Sequence, residues 1–132
     1  MFRSLFYVFS VFSCVSACSA DETLAAYGAG DILWRLTEVD GTPASATLTM
    51  EFGEDGAVSG AAPCNRFAAQ NTAPYPWFAL SPILATKRAC PALSQEQDFL
   101  TLLQSITQSE VLDNVLILRN DAGQEMVFNA VD

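Results

Sequence analysis

The sequence predicts a mostly-β, α+β fold: a small antiparallel, partly open barrel of about seven or eight strands with one packed helix. Three observations carry that expectation. Short runs alternate apolar and polar residues with period two, and turn chemistry separates them. Only one segment repeats at helical spacing, and it lies late, between strands. Strand–helix–strand alternation is missing, which argues against a parallel sheet. A flat antiparallel sheet would leave its apolar face wet unless the single helix covered it. Curling the sheet and plugging the opening with that helix buries more.

The elements follow in chain order. Ile32, Trp34 and Leu36 alternate with Leu33, Arg35 and Thr37, which reads as a strand with one strongly apolar face. Asp40-Gly41-Thr42-Pro43 is turn chemistry. Leu48, Met50 and Phe52 alternate with Thr47, Thr49 and Glu51, the cleanest period-two pattern in the chain. Gly53-Glu54-Asp55-Gly56 turns into Ala57–Ala62, a strand of small residues that lets a neighbouring backbone come close or the strand bend. Residues 68–76 read as a loop, Trp77–Leu80 as a short strand and Ile83–Arg88 as another extended segment. Pro91 announces the helix. Ser94 fits an N-cap with Gln97 three residues on, a capping-box pattern, and Glu96 and Asp98 suit the positive end of the helix dipole. Phe99, Leu102, Leu103 and Ile106 make its apolar face. Three strands close the chain: Glu110–Leu112, Val115–Arg119 after an Asp113-Asn114 turn, and Gln124–Val131 after Asn120–Gly123.

Composition excludes several function classes. The chain has 132 residues, six Lys/Arg against fifteen Asp/Glu and no His. One domain is expected. So few cations argue against nucleic-acid partners. Without His, a Ser-His-Asp arrangement is impossible and the commonest metal ligand is missing. Val58-Ser59-Gly60 lacks the first glycine and the strand–helix setting of a nucleophile elbow. The expectation is a non-enzyme with no cofactor and no metal, whose oligomeric state the sequence leaves open.

The hydrophobic fraction of 51% is concentrated at the N-terminus, where four of the nine Phe fall in residues 1–17. Arg3 precedes an apolar run from Leu5 to Phe12, the pattern of a secretory signal and too short to span a bilayer. Without that segment the fraction falls to about 48%, ordinary for a globular domain. The charge moves from −9 to −10 with the loss of Arg3. Val15-Ser16-Ala17-Cys18 resembles a bacterial lipobox. The resemblance implies cleavage after Ala17 and a lipid on Cys18, with an ordinary signal cut after Ala17 or Ala20 as the alternative. Ser19, in place of an inner-membrane Asp, points to the outer membrane. The expected organisation is a lipoprotein signal at 1–17, a lipidated Cys18 and tether through residue 30, and a domain at 31–132. Of the four cysteines, Cys14 is discarded and Cys18 is blocked. Cys64 and Cys90 are then expected to form a disulfide in an oxidising compartment, two buried thiols being the alternative.

Three stretches together resemble the META domain, or HslJ-like, family. They are Trp34-Arg35-Leu36 followed by Asp40-Gly41, Asp55-Gly56 through Val58-Ser59-Gly60 to Cys64-Asn65-Arg66-Phe67, and Thr86-Lys87-Arg88-Ala89-Cys90-Pro91 before a helix. The closing Leu116, Leu118, Gly123 and Phe128 also fit, so the resemblance covers about residues 31–129. It implies a small partly open barrel with one helix, similar to that of lipid-binding secretion pilotins, and an association with heat-shock and envelope stress. Two residues depart from the family pattern: Pro63 stands where Gly is usual, and Arg88 where Met is usual.

Asn65, Arg66, Lys87 and Arg88 are the candidate binding residues. A Cys64–Cys90 bond would gather three of the five mature cations into a basic spot suited to a lipid phosphate or an acidic partner. The opposing expectation is that Asn65 serves a turn and the cations pair internally. Tyr75–Phe78 reads as a strand inserting alternate residues into the core, with a surface anchor as the alternative. The functional expectation is an envelope lipoprotein, held at the membrane by its lipid, that binds a lipid or apolar group in a chaperone-like role. The alternative is an interaction module that recruits an envelope protein through its acidic surface or basic spot. A hydrolase is the least favoured reading.

Overall fold

The computed structural model describes residues 20–132, so the signal segment and Cys18 lie outside the described residues. Among these residues nine strands form one antiparallel sheet with a single α-helix: β1 (Trp34–Val39), β2 (Thr42–Pro43), β3 (Thr49–Phe52), β4 (Ala57–Ala61), β5 (Arg66–Gln70), β6 (Leu84–Ala85), α1 (Leu93–Gln104), β7 (Gln108–Leu112), β8 (Val115–Arg119) and β9 (Glu125–Ala130). The order across the sheet is β6-β5-β4-β3-β1-β9-β8-β7, with β2 beside β1. The mostly-β, partly open barrel with one helix is therefore the observed architecture.

Alternation builds the core. Trp34, Met50, Leu116, Leu118, Met126 and Phe128 are fully buried inside the curl, while Arg35, Glu51 and Asn129 point out. The small-residue strand β4 has the close approach expected of it. A Cβ at Gly60 would collide with the Thr49 carbonyl and the Phe67 ring, so only glycine fits between β3 and β5.

The ladder does not close on itself. The gap between β5 and β7 is stitched by residues 72–81. Ser81 N–H donates to Gln70 O at 2.8 Å, Phe78 N–H to Thr107 O at 2.9 Å and Ser109 N–H to Pro76 O at 2.7 Å. The strand expected at Trp77–Leu80 is thus replaced by isolated bridges to both sides, because Pro74 and Pro76 supply no N–H for a regular ladder. Phe78 does enter the core and Trp77 stays 56% exposed, as alternate insertion requires.

Register defines two ends. Trp34 pairs with Met50 and Ala130, and Val115 with Asn129, at one end; Val39 pairs with Met126, Ala61 with Arg66, and Gln108 with Arg119 at the other. The first end is closed by residues 22–30, and we refer to it as the plug end. That segment was expected to be a tether, and it is not. Leu24 and Ala29 are buried, the chain turns back through Ala29 N–H to Leu24 O and Gly30 N–H to Ala25 O with Gly28 at φ 113°, and Trp34 Nε1 donates to Ala29 O at 3.0 Å. Leu24 contributes enough apolar burial to fix a stretch whose composition is otherwise small and polar.

The second end is covered by α1. The helix begins at Leu93, two residues earlier than the capping-box pattern places it, with Ala92 rather than Ser94 at the N-cap and no side-chain cap. Leu93 N–H donates to Cys90 O at 3.1 Å, so the turn after Cys90-Pro91 sets the start. Ser94 lies within the first turn. Phe99, Leu103 and Ile106 are buried and Leu102 half-buried, as expected of the apolar face.

Candidate functional site

The distinctive chemistry of the chain gathers at the helix end. Cys64 and Cys90 are joined as a disulfide, with Cα atoms 5.6 Å apart. This ties the β4–β5 connection to the segment that enters α1. In the chain-entropy picture, closing that loop of 26 residues stabilises the fold by about 3–4 kcal/mol.

Asn65, 5% exposed, is the centre of the corner. Its Oδ1 accepts from Thr86 Oγ1 at 2.9 Å and from Arg88 N–H, while its Nδ2 donates to Arg88 O at 3.0 Å and Glu96 Oε2 at 2.6 Å. Both ends of the amide are thus satisfied, which is the structural role weighed against ligand binding. The side chain is not free to meet a ligand.

Glu96 completes the arrangement. It is 2% exposed, and its Oε1 accepts the backbone N–H groups of Cys64 at 3.0 Å and Asn65 at 2.8 Å. The helix-dipole reading of Glu96 is therefore incomplete: the carboxylate is a buried bracket for the β4–β5 connection. A signal was present in the sequence. Glu96 lies three residues before Phe99 and seven before Leu103, on the helix's own buried stripe.

The same bonds explain Pro63. Ala62 N–H donates to Asn65 O, and the N–H groups of Cys64 and Asn65 go to Glu96. Every donor of the connection is used, and proline has none to lose. Arg88 likewise fits where Met is usual, because its side chain is exposed and only its backbone meets Asn65.

Arg66, Lys87 and Arg88 are all exposed on this corner. Arg66 O accepts Thr86 N–H at 3.0 Å, which sets the two segments side by side. The structure thus brings the three cations together as the disulfide implied. Internal pairing, the opposing expectation, is not found: among the described residues both salt bridges belong to Arg119, to Glu110 at 3.1 Å and Glu125 at 2.8 Å. Those hydrogen bonds, to Glu110 first and Glu125 second, hold the Arg119 guanidinium above its ordinary pKa.

Beside the corner, α1 leaves an open groove of about 630 Å³ lined by Val39, Pro43, Asp98, Phe99, Leu102 and Gln124, among others. At the opposite end, the hydroxyl and then the N–H of Thr23 hold the exposed Asp21 carboxyl below the usual range. Among the described residues no cluster of three or more Cys, Asp or Glu is placed to hold a metal ion. No described helix is long and apolar enough to cross a membrane.

A family model described as META domain matches residues 29–132. No curated protein matches this chain. Solved structures do. An NMR structure of a protein from Burkholderia xenovorans is similar with a TM-score of 0.66 at 22% identity, over 81% of this chain and 86% of that one. A crystal structure of a DUF4847 family protein from Bacteroides vulgatus is similar with a TM-score of 0.65 at 14% identity, over 80% of this chain and 96% of that one. At such identities the likeness is one of fold.

Proposed function

We propose that this chain, which belongs to the META domain family, is an envelope lipoprotein that works as a non-catalytic interaction module. Cys18 carries the lipid, the protein faces the periplasm from the outer membrane, and the basic spot takes an anionic group of an envelope partner. One observation carries the reading. Arg66, Lys87 and Arg88 stand exposed and without ion-pair partners among the described residues, on a chain of strongly acidic balance, over a frame that fixes their backbones. A fixed backbone removes the loop-ordering part of the cost of meeting an anion, and guanidinium groups match carboxylate and phosphate oxygens bidentately.

A catalytic role lacks comparable support. The buried carboxylate of Glu96 is engaged by three donors, which leaves it no part in proton transfer. The envelope-stress setting implied by the family belongs to the same proposal.

The test is photocrosslinking in the native envelope from position 89, between Arg88 and Cys90. A defined adduct in the parent chain, lost on combining Lys87→Glu with Arg88→Glu, is expected. An adduct that survives charge reversal rules out the basic spot.

A second reading has one observation in its favour. The groove beside α1 presents Phe99 and Leu102 with Val39 and Pro43, a place for an apolar group outside the core. The interior itself is occupied by Trp34, Phe78, Phe128 and their neighbours. Native mass spectrometry of the purified chain decides it: a co-purified lipid lost on Leu102→Asp favours the groove.

A further inference from the structure

We propose that the plug end of the barrel is a bilayer-contact face, seated on zwitterionic phospholipid headgroups, so that the helix end points away from the membrane. The proposal rests on the lipid-anchor reading of Cys18.

The geometry comes from where the fold begins. Glu22 is already fixed, since its carbonyl accepts Tyr75 N–H at 2.8 Å, and Leu24 two residues on is 1% exposed. Only Ser19, Ala20 and Asp21 lie between Cys18 and Glu22. Four Cα steps reach at most about 14 Å. The barrel, with strands of five or six residues, is about 17–20 Å long. A lipid held that close to the plug end cannot be carried around to the helix end.

The face has the matching chemistry. Among the described residues, three of the five exposed large apolar ones lie there: Tyr27 at 51%, Leu33 at 36% and Leu112 at 66% exposure. Tyr27 stacks on Tyr75 with ring centroids 4.6 Å apart, and Tyr75 Oη accepts Val111 N–H, so the aromatic pair is presented rigidly. Tyrosine, apolar in its ring and polar at its tip, sits well at headgroup level.

Charge selects the lipid. Asp21, Glu22, Asp31, Glu54, Asp55 and Asp113 are all exposed around this end. Arg35 is the first cation along the strands that leave it. Anionic headgroups held within a Debye length, about 8 Å at physiological salt, would be repelled. Phosphatidylethanolamine and phosphatidylcholine, with no net charge, would not.

The test uses the full lipidated chain in phosphatidylethanolamine–phosphatidylcholine vesicles, after the mass of its N-terminal peptide has been measured. In a Trp77→Phe background, with the signal of the remaining Trp34 measured alone and subtracted, Tyr27→Trp reports on the plug end and Gln124→Trp on the helix end, with lipids brominated near the headgroup as quenchers. Loss of emission from position 27 with none from position 124 is expected, and the loss at 27 should shrink as phosphatidylglycerol replaces phosphatidylcholine. Leu112→Trp reads the same face if Tyr27→Trp disturbs the stack. Equal quenching at both ends, or none at positions 27 and 112, overturns the orientation while leaving a lipidated peptide intact. A peptide without lipid overturns the anchor reading and this proposal with it.

Discussion

At the helix end of the barrel, Glu96, Asn65 and the Cys64–Cys90 bond hold three chain segments in one geometry through named polar and covalent partners. At the plug end, Leu24 and Ala29 fill space, Tyr27 stacks on Tyr75, and the long-range polar ties are single bonds: Trp34 Nε1 to Ala29 O, Tyr75 N–H to Glu22 O and Val111 N–H to Tyr75 Oη, with no buried charge among them. Directional bonds fix where groups point, and apolar burial fixes only that they are covered. The end that presents three cations is built the first way, and the end that receives the chain from its proposed anchor the second.

The sharpest break of that comparison is Glu96→Ala. It leaves two backbone N–H groups and one side of the Asn65 amide without their buried acceptor, at about 1–3 kcal/mol each where the group cannot reach water. A loss of roughly 4 kcal/mol is expected, read as a lower urea midpoint with an unchanged slope. A loss under about 1 kcal/mol would mean that the corner rehydrates freely and the polar lock is not directional at all.

Removing the disulfide with Cys64→Ser and Cys90→Ser comes next, at about 3–4 kcal/mol. The Asn65 and Glu96 bonds should keep the corner's geometry once folded, so amide exchange at Arg88 should stay slow in the native state. Fast exchange there would show that the covalent tie, and not the hydrogen bonds, sets the frame.

At the plug end, Leu24→Ala removes the one large side chain that the N-terminal segment buries fully. A loss of about 2–3 kcal/mol is expected, at the low side of the usual range because a terminal segment can settle into the space. The loss should come with early proteolysis before Ala29 and a barrel that otherwise stays folded. Cooperative unfolding of the whole chain instead would make the plug as integral as the helix.

This difference also explains what could be read from the sequence. Period-two alternation marked Trp34/Leu36, Met50/Phe52 and Met126/Phe128, because each strand has one wet face and one buried one. The spacing of Phe99, Leu103 and Ile106 marked α1 for the equivalent reason. The disulfide pair was accessible from counting cysteines. In the sequence Glu96 reads as an acid favoured by the helix dipole, since a dipole-favoured position and a buried bracket call for the same residue type. The plug was read as a tether because its fold depends on Leu24 meeting a core built by residues far away, which no local pattern encodes. Thr42–Pro43 and residues 72–81 were hard for another reason: their hydrogen bonds go to single partners, so neither forms a periodic run.

The smallest effect concerns Arg119, and it separates cations that serve the fold from cations left for a partner. Arg119 bonds Glu110 and Glu125 on an open face, with 40% of its side chain exposed. Exposed pairs contribute about 0–1 kcal/mol, so Arg119→Met, which keeps an apolar stem over the sheet, should cost no more than that. The guanidinium pKa is raised in the folded chain. Its contribution is therefore complete below the unfolded value and is lost only as pH rises through the folded one. Stability traced to Arg119 should stay flat across neutral and mildly alkaline pH, while shrinking with added salt. Arg88→Met, at a side chain with no ion pair among the described residues, should leave the urea midpoint unchanged at low and high salt alike. A salt-sensitive loss from Arg88→Met equal to that from Arg119→Met would tie the basic spot into the fold and remove it as a docking site.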